Sequence, residues 1–265
     1  MIPARKRWGQ HFLVRSETAV RIAEAARIEP GETVIEVGPG GGALTRPLAD
    51  RAGRLLAIEI DPLRADSLER ELAGRPEVRI RRGDVLEKPF AAWLADEGWS
   101  PPAVLVSNLP YNAATPILLS AIEEKESISR VVATVQKEVA RRFAARPGDD
   151  EYGYLSVRAA ASARARVLFD LPPGAFRPRP KVTSTVLELV PCAGGIPAPT
   201  RARALELASI AFRFRRKTLP NALSSAADRR RVERELAALG RDPRVRAEEL
   251  SLDDYVALAE RLETP

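Results

Sequence analysis

The chain has 265 residues, 45% of them hydrophobic, and a net charge of +6. That length predicts one large domain plus a small one, and apolar residues spread along the whole chain exclude disorder as a starting assumption. No apolar run approaches the ~20 residues of a membrane span, no signal-peptide core follows the basic start, and a single cysteine, Cys192, excludes an intramolecular disulfide. These features predict a cytoplasmic protein, and the positive excess favours a polyanionic partner.

Elements in chain order alternate between two periods. Residues 18–26 have helical spacing (Ala19, Ile22, Ala23, Ala26), and residues 33–37 form an apolar strand that runs into Gly38-Pro39-Gly40-Gly41-Gly42. A helix over 43–52, a strand over 54–60, a helix over 62–72 and a strand over 78–81 follow; further strands are expected at 103–107, 131–135 and 186–190. Short β-rich runs separated by helices predict βαβ units and a doubly wound, largely parallel sheet. Residues 191–200 hold three prolines and two glycines and read as a linker. Beyond it the pattern is helical (202–212, 219–225, 229–239, 253–262), giving a large α/β domain over 1–190 and a small all-helical one over 200–265.

The Gly38 loop joins a strand to a helix, where glycine permits a tight turn and a close ligand. Glu59 ends the next strand, about 20 residues on, the place where doubly wound folds set an acid against ribose hydroxyls. Asp84 follows the third strand, where a carboxylate can accept from an adenine amine; a plain turn-forming Asp after Gly83 fits as well. Together these three residues describe an adenosine site, and they do not separate NAD from S-adenosylmethionine. Asn108-Leu109-Pro110-Tyr111, after the fourth strand, does. An exocyclic amine of adenine is a poor nucleophile, and transfer requires its lone pair to be aimed. The Asn108 side-chain oxygen and the Leu109 carbonyl can accept its two N–H groups, Pro110 stiffens the turn, and Tyr111 offers a ring for stacking. Catalysis would be mainly positioning.

With these motifs in place the chain resembles the ribosomal RNA adenine dimethyltransferases, specifically the KsgA type, over nearly its whole length. The segment Arg5-Lys6-Arg7-Trp8-Gly9-Gln10-His11-Phe12-Leu13 is similar to one that lies over the cofactor in that family. The resemblance implies a class I, Rossmann-like methyltransferase domain and S-adenosylmethionine contacts at His11, Leu13, Gly38, Gly40, Glu59, Asp84 and Asn108. Gln136-Lys137-Glu138-Val139-Ala140 and Tyr152-Gly153-Tyr154-Leu155-Ser156-Val157 match two further family segments. Phe176-Arg177-Pro178-Arg179-Pro180-Lys181-Val182-Thr183-Ser184 matches a family loop, and the resemblance implies that Phe176 stacks the target base opposite Tyr111. Three departures stand out. The family commonly has Asn at the place of His11 and an acid at that of Arg15, and Pro220 interrupts its basic helix pattern.

The stretch 211–223 contains Arg213, Arg215, Arg216 and Lys217 interleaved with Phe214 and resembles the small-subunit branch of the family. Cations for phosphates and rings for unstacked bases suit RNA. The implied substrate is a pair of adjacent adenosines in the 3′-terminal hairpin loop of small-subunit (16S) ribosomal RNA, within an immature subunit; the enzyme is expected to be a monomer without a metal. Two alternatives stay open: a large-subunit methyltransferase of the macrolide-resistance type, and an assembly factor with little catalysis.

Overall fold

The computed structural model describes residues 10–192 and 195–263, so residues 5–9 of the N-terminal segment lie outside the described residues. The chain divides into two compact units, the first Met1–Ala140 with Arg164–Cys192, the second Arg141–Ala163 with Ala193–Pro265. This division departs from the sequence-based boundaries over 141–163. The reason is packing: Tyr152 and Val157 are buried in the same apolar cluster as Leu207, Val232, Leu236 and Tyr255 of the C-terminal helices.

The first unit is built on a seven-stranded sheet. Its strands are β2 (Thr33–Val37), β3 (Arg54–Glu59), β4 (Val78–Arg82), β5 (Ala103–Asn108), β6 (Ile128–Gln136), β7 (Ala163–Leu171) and β9 (Ser184–Pro191), in the order β4-β3-β2-β5-β6-β9-β7. The five from β4 to β6 run parallel, and β9 joins antiparallel to β6. All five residues of β2 are buried, as expected of a parallel strand covered on both faces. Edge strand β4 instead alternates buried Val78 and Ile80 with more exposed arginines, which blunts an unpaired edge. A separate two-stranded pair joins β1 (Phe12–Leu13) to β8 (Phe176–Arg177), antiparallel, with Phe12 opposite Arg177 and Leu13 opposite Phe176.

Helices α1 (Ser16–Ala25), α2 (Thr45–Ala49), α3 (Pro62–Glu71), α4 (Phe90–Ala95), α5 (Ala114–Glu123) and α6 (Lys137–Ala144) lie between the strands in sequence. The start of α3 shows why it begins there: Asp61 caps it by accepting the Leu63 N–H at 3.1 Å, and Pro62 occupies a first-turn position whose N–H has no helical partner anyway. Strand order reverses at β2, since the chain runs outward through β3 and β4, then returns to β5 on the other side. Open α/β sheets bind ligands at the carboxyl ends of the two strands flanking that reversal. Here those ends are the Gly38 loop and Asn108.

The second unit contains α7 (Tyr154–Ala160), α8 (Ala198–Arg213), α9 (Leu219–Ala222), α10 (Arg229–Ala238) and α11 (Leu252–Glu263). Its core is pinned by two buried phenols, Tyr152 donating to the Leu250 carbonyl at 2.8 Å and Tyr255 to that of Ala247 at 3.0 Å. Pro220 sits in the first turn of α9 and interrupts no helix, because α8 has already ended at Arg213. Proline in a first turn forfeits no hydrogen bond.

Candidate active site

Gly38 and Gly40 have φ of 68° and 59°, the left-handed region that glycine enters freely. At Gly40 space matters as well, since an added Cβ would stand 2.5 Å from the Phe12 ring. Phe12 lies between this glycine and the Arg64 guanidinium, 4.2 Å from the ring centroid. The absence of a side chain at Gly40 thus lets the strap around β1 close over the loop.

Glu59, at the end of β3, is 2% exposed and lines a cleft with His11, Gly38 and Asn108. Its Oε2 accepts the Gly40 N–H and its Oε1 the Asp61 N–H, both at 2.9 Å. Each oxygen keeps a further lone pair for a ligand hydroxyl. Burial raises its pKa, while the Asp61 and Gly40 N–H groups pull it back down. Asp84 follows β4 and lines an adjoining cleft with Gly38, Ile60 and Asn112. One carboxylate oxygen caps a short 3₁₀ turn by accepting the Leu86 N–H at 3.0 Å. The turn-forming role and a place on the cleft wall coexist in one residue.

Asn108 ends β5. Its Nδ2 donates to the His11 carbonyl at 2.8 Å. A carbonyl only accepts, so this bond fixes which end of the amide is which. The other end, Oδ1, is buried and has no hydrogen-bond partner. Leu109 is buried, and its N–H is spent on the Thr134 carbonyl at 3.1 Å. Tyr111 is half-buried, its hydroxyl is hydrogen-bonded to Ser184 Oγ, and burial raises its pKa against the pull of that bond. The His11 ring packs on the Tyr111 ring at 4.9 Å between centroids with a 30° tilt, and its Nδ1 bonds the Pro178 carbonyl at 2.7 Å.

Three remote segments therefore converge here: the strap at 10–13, the Asn-Leu-Pro-Tyr turn and the loop after β8. Phe176 is placed differently from its neighbours. It is 3% exposed and packs in the main core cluster with Leu13 and Ala175, so in this conformation it presents no open ring face to a base. Leu13 is buried in the same cluster.

Sequence comparison decides what this cleft belongs to. The sequence pattern of the family described as ribosomal RNA adenine dimethylase matches residues 1–264. The chain belongs to that family. Ribosomal RNA small subunit methyltransferase A of Rubrobacter xylanophilus is 44% identical over 97% of this chain and 95% of its own length; the protein of the same name from Aromatoleum aromaticum is 42% identical over 96% and 92%. Among solved structures, the 23S rRNA methyltransferase ErmE superposes with a TM-score of 0.74 at 29% identity, covering 96% of this chain and 100% of that one. A dimethyladenosine transferase from Plasmodium falciparum shares the fold, with a TM-score of 0.76 at 22% identity over 94% of this chain and 96% of its own.

In this member of the adenine dimethylase family, two site residues escape sequence reasoning. Glu36 is 2% exposed, one of its oxygens has no hydrogen-bond partner, and burial pushes its pKa up to about 8. The Thr45 hydroxyl and Arg46 oppose that rise, and the Glu59 carboxylate adds to it. The signal was available: an acid in an otherwise apolar buried strand, two residues before the glycine loop. Ser184 is the second, visible only once Tyr111 has a position. In the helical unit, Arg213, Phe214, Arg215, Arg216 and Lys217 are all exposed. They are unequal, since Arg215 is paired with Glu248 at 2.7 Å and Lys217 lies over the Phe214 ring at 4.8 Å.

Proposed function

We propose that this chain dimethylates the exocyclic amines of two adjacent adenosines in the 3′-terminal hairpin loop of small-subunit (16S) ribosomal RNA, using S-adenosylmethionine. The observation that carries the reading is Asn108 Oδ1, a buried acceptor without a partner whose orientation is fixed by the His11 carbonyl, in the cleft that also holds Gly38 and Glu59. An unsatisfied buried acceptor costs about 1–3 kcal/mol, and a target amine would relieve that cost.

The residues present fit the methyl donor. Glu59 is pinned by two backbone N–H groups with lone pairs left for both ribose hydroxyls, Asp84 lines the adjoining cleft for the adenine, and the Gly38 loop leaves room on the methionine side, with His11 beside it and Leu13 holding the strap from the core. S-adenosylmethionine supplies an electrophilic methyl group. Everything else is positioning. Asn108 Oδ1 and the Leu109 carbonyl accept the two N–H groups of the target amine, which aims its lone pair. Pro110 holds the turn, and Tyr111, steadied by Ser184, carries the base. Phe176 serves as the second ring once it leaves the core.

Arg213, Arg215, Arg216 and Lys217 contact RNA phosphates. Loop bases are already partly unstacked, which lowers the cost of extruding them. The chain works as a monomer in the cytoplasm on immature small subunits; no helix among the described residues is long and apolar enough to cross a membrane. Identity of 42–44% to relatives named for the small subunit, against 29% to a large-subunit enzyme, supports this branch over the resistance branch.

The test is transfer of labelled methyl groups to small and large subunits lacking these modifications, with the RNA digested to nucleosides. Dimethyladenosine from the small subunit alone is the expected result. Label confined to the large subunit would move the chain to the resistance branch. Binding of immature small subunits without any label would leave an assembly factor.

A further inference from the structure

The two sides of the cleft meet where β2 and β5 part. Backbone pairing between these strands runs from Thr33 opposite Ala103 to Ile35 opposite Leu105 and stops there. On its other side β2 stays paired further, to Val37 opposite Ile58, and the Gly38 N–H still reaches the Ile58 carbonyl at 2.8 Å. The Val37 N–H and carbonyl turn the other way, toward β5, and a side chain meets them. Ser107 Oγ accepts the Val37 N–H at 3.1 Å and donates its own hydrogen to the Val37 carbonyl. Ser107 is fully buried. One hydroxyl thus ties the residue before Gly38 to the residue before Asn108.

Each side is otherwise anchored separately. On the donor side Gly38 is bonded to β3, and Glu59 accepts the Gly40 N–H. On the base side the Leu109 N–H donates to the Thr134 carbonyl of β6, and the Asn108 amide donates to the His11 carbonyl. Phe12 and Pro110 stand beside Gly40 and Gly38 by packing alone, which sets no fixed separation.

We propose that Ser107 is a positioning residue whose hydroxyl fixes the separation of the glycine loop from Asn108. It thereby sets the distance between the donor methyl group and the amine that Asn108 aims. The inference rests on the adenosine-methylating function proposed above. Reacting atoms must sit about 3–3.5 Å apart, and an error of about 1 Å costs on the order of a hundredfold in rate. Ser107 acts through Val37 and Asn108. Removing its hydroxyl leaves two buried backbone groups of Val37 without a partner, a state that folded chains avoid. The carboxyl ends of β2 and β5 are then free to shift against each other while each side keeps its own bonds.

Two measurements on Ser107→Ala test the proposal. The first is amide hydrogen exchange in the free chain. The Val37 amide should exchange at least about a hundredfold faster than in the wild type, while Gly38 and Leu109, bonded to Ile58 and Thr134, keep their rates. An unchanged Val37 rate, or equal acceleration of all three amides, overturns the proposal. The second is single-turnover methyl transfer to small subunits at saturating donor, with donor Kd from calorimetry. Transfer should slow at least about tenfold, a fraction of the hundredfold cost of a full misplacement, with Kd within about twofold of the wild type. Unchanged transfer, or a rise in Kd that matches the fall in rate, overturns the role of Ser107 and leaves the proposed function standing. Wild type that methylates no small-subunit adenosine overturns both. If Ser107→Ala fails to fold, Ser107→Cys takes its place; its thiol bonds weakly, so the same changes in smaller degree are expected, and their absence overturns the proposal.

Discussion

The two halves of the cleft are built by different means. The donor half, with Gly38, Gly40 and Glu59, hangs on adjacent parallel strands, and backbone N–H groups hold its carboxylate at 2.9 Å. The base half joins residues 10–13, 108–111 and 176–184, remote in sequence, by the β1–β8 backbone pairing and by side chains: Asn108 to His11, His11 to Tyr111 and Pro178, Tyr111 to Ser184. Backbone bonding within one sheet gives rigidity from local sequence. The base half instead depends on segments that meet only in the folded chain.

Breaking each half separately should separate its functions. Asn108→Ala should lower single-turnover methyl transfer about a hundredfold or more, the cost of losing orientation at the reacting atom, while calorimetric donor affinity changes only a few-fold; equal loss of both would refute the division. Glu59→Ala should have the opposite signature. Two charge-assisted hydrogen bonds at about 1.5–3 kcal/mol each predict a rise in donor Kd of at least about a hundredfold, and unchanged Kd would remove Glu59 from the donor half.

Glu36 sharpens the comparison through pH. Its folded-state pKa of about 8 lies above the ordinary 4.5. Between those values the unfolded chain releases a proton that the folded chain keeps, so stability falls as pH rises through that window, by at most about 1.4 kcal/mol per pH unit from this group. Glu36→Gln should lack this slope, and its thermal midpoint should gain on the wild type from pH 5 to pH 8. Parallel curves for the two proteins would contradict the burial argument.

Smaller effects are expected at the periphery. Neutralising Arg216 should flatten the log–log salt dependence of RNA affinity by roughly 0.7–0.9, and neutralising Arg215, already paired with Glu248, by less. Equal slopes for the two variants would show that the ion pair opens on binding. Ser184→Ala, which frees Tyr111, should weaken RNA binding or transfer by about 1 kcal/mol, with donor affinity unaltered.

The donor half was legible in the sequence because each feature is local: a glycine run after an apolar strand, an acid at the next strand's end, Asp84 after the third. The base half was legible only as motifs. Nothing near residue 12 announces pairing with residue 177, and the aromatic at 176 reads as exposed until Leu13 and Ala175 are seen packed with it. Edge strand β7 escapes a reading of the sequence because its arginines and half-exposed apolar residues give no buried stripe. The transfer of 141–163 to the helical unit depends on Tyr152 and Val157 finding a core whose other buried members lie more than 40 residues later.

The pairing of β1 with β8 also orders events during synthesis. A ribosome making this chain emits Phe12 and Leu13 first, and their partners Phe176 and Arg177 emerge only after the parallel strands from β2 to β6 have been made. Contacts that span so much chain close late, after shorter-range ones. The nascent protein would therefore complete its donor half long before the His11 carbonyl can reach Asn108, and would gain the ability to aim an amine only once most of the chain has left the exit tunnel.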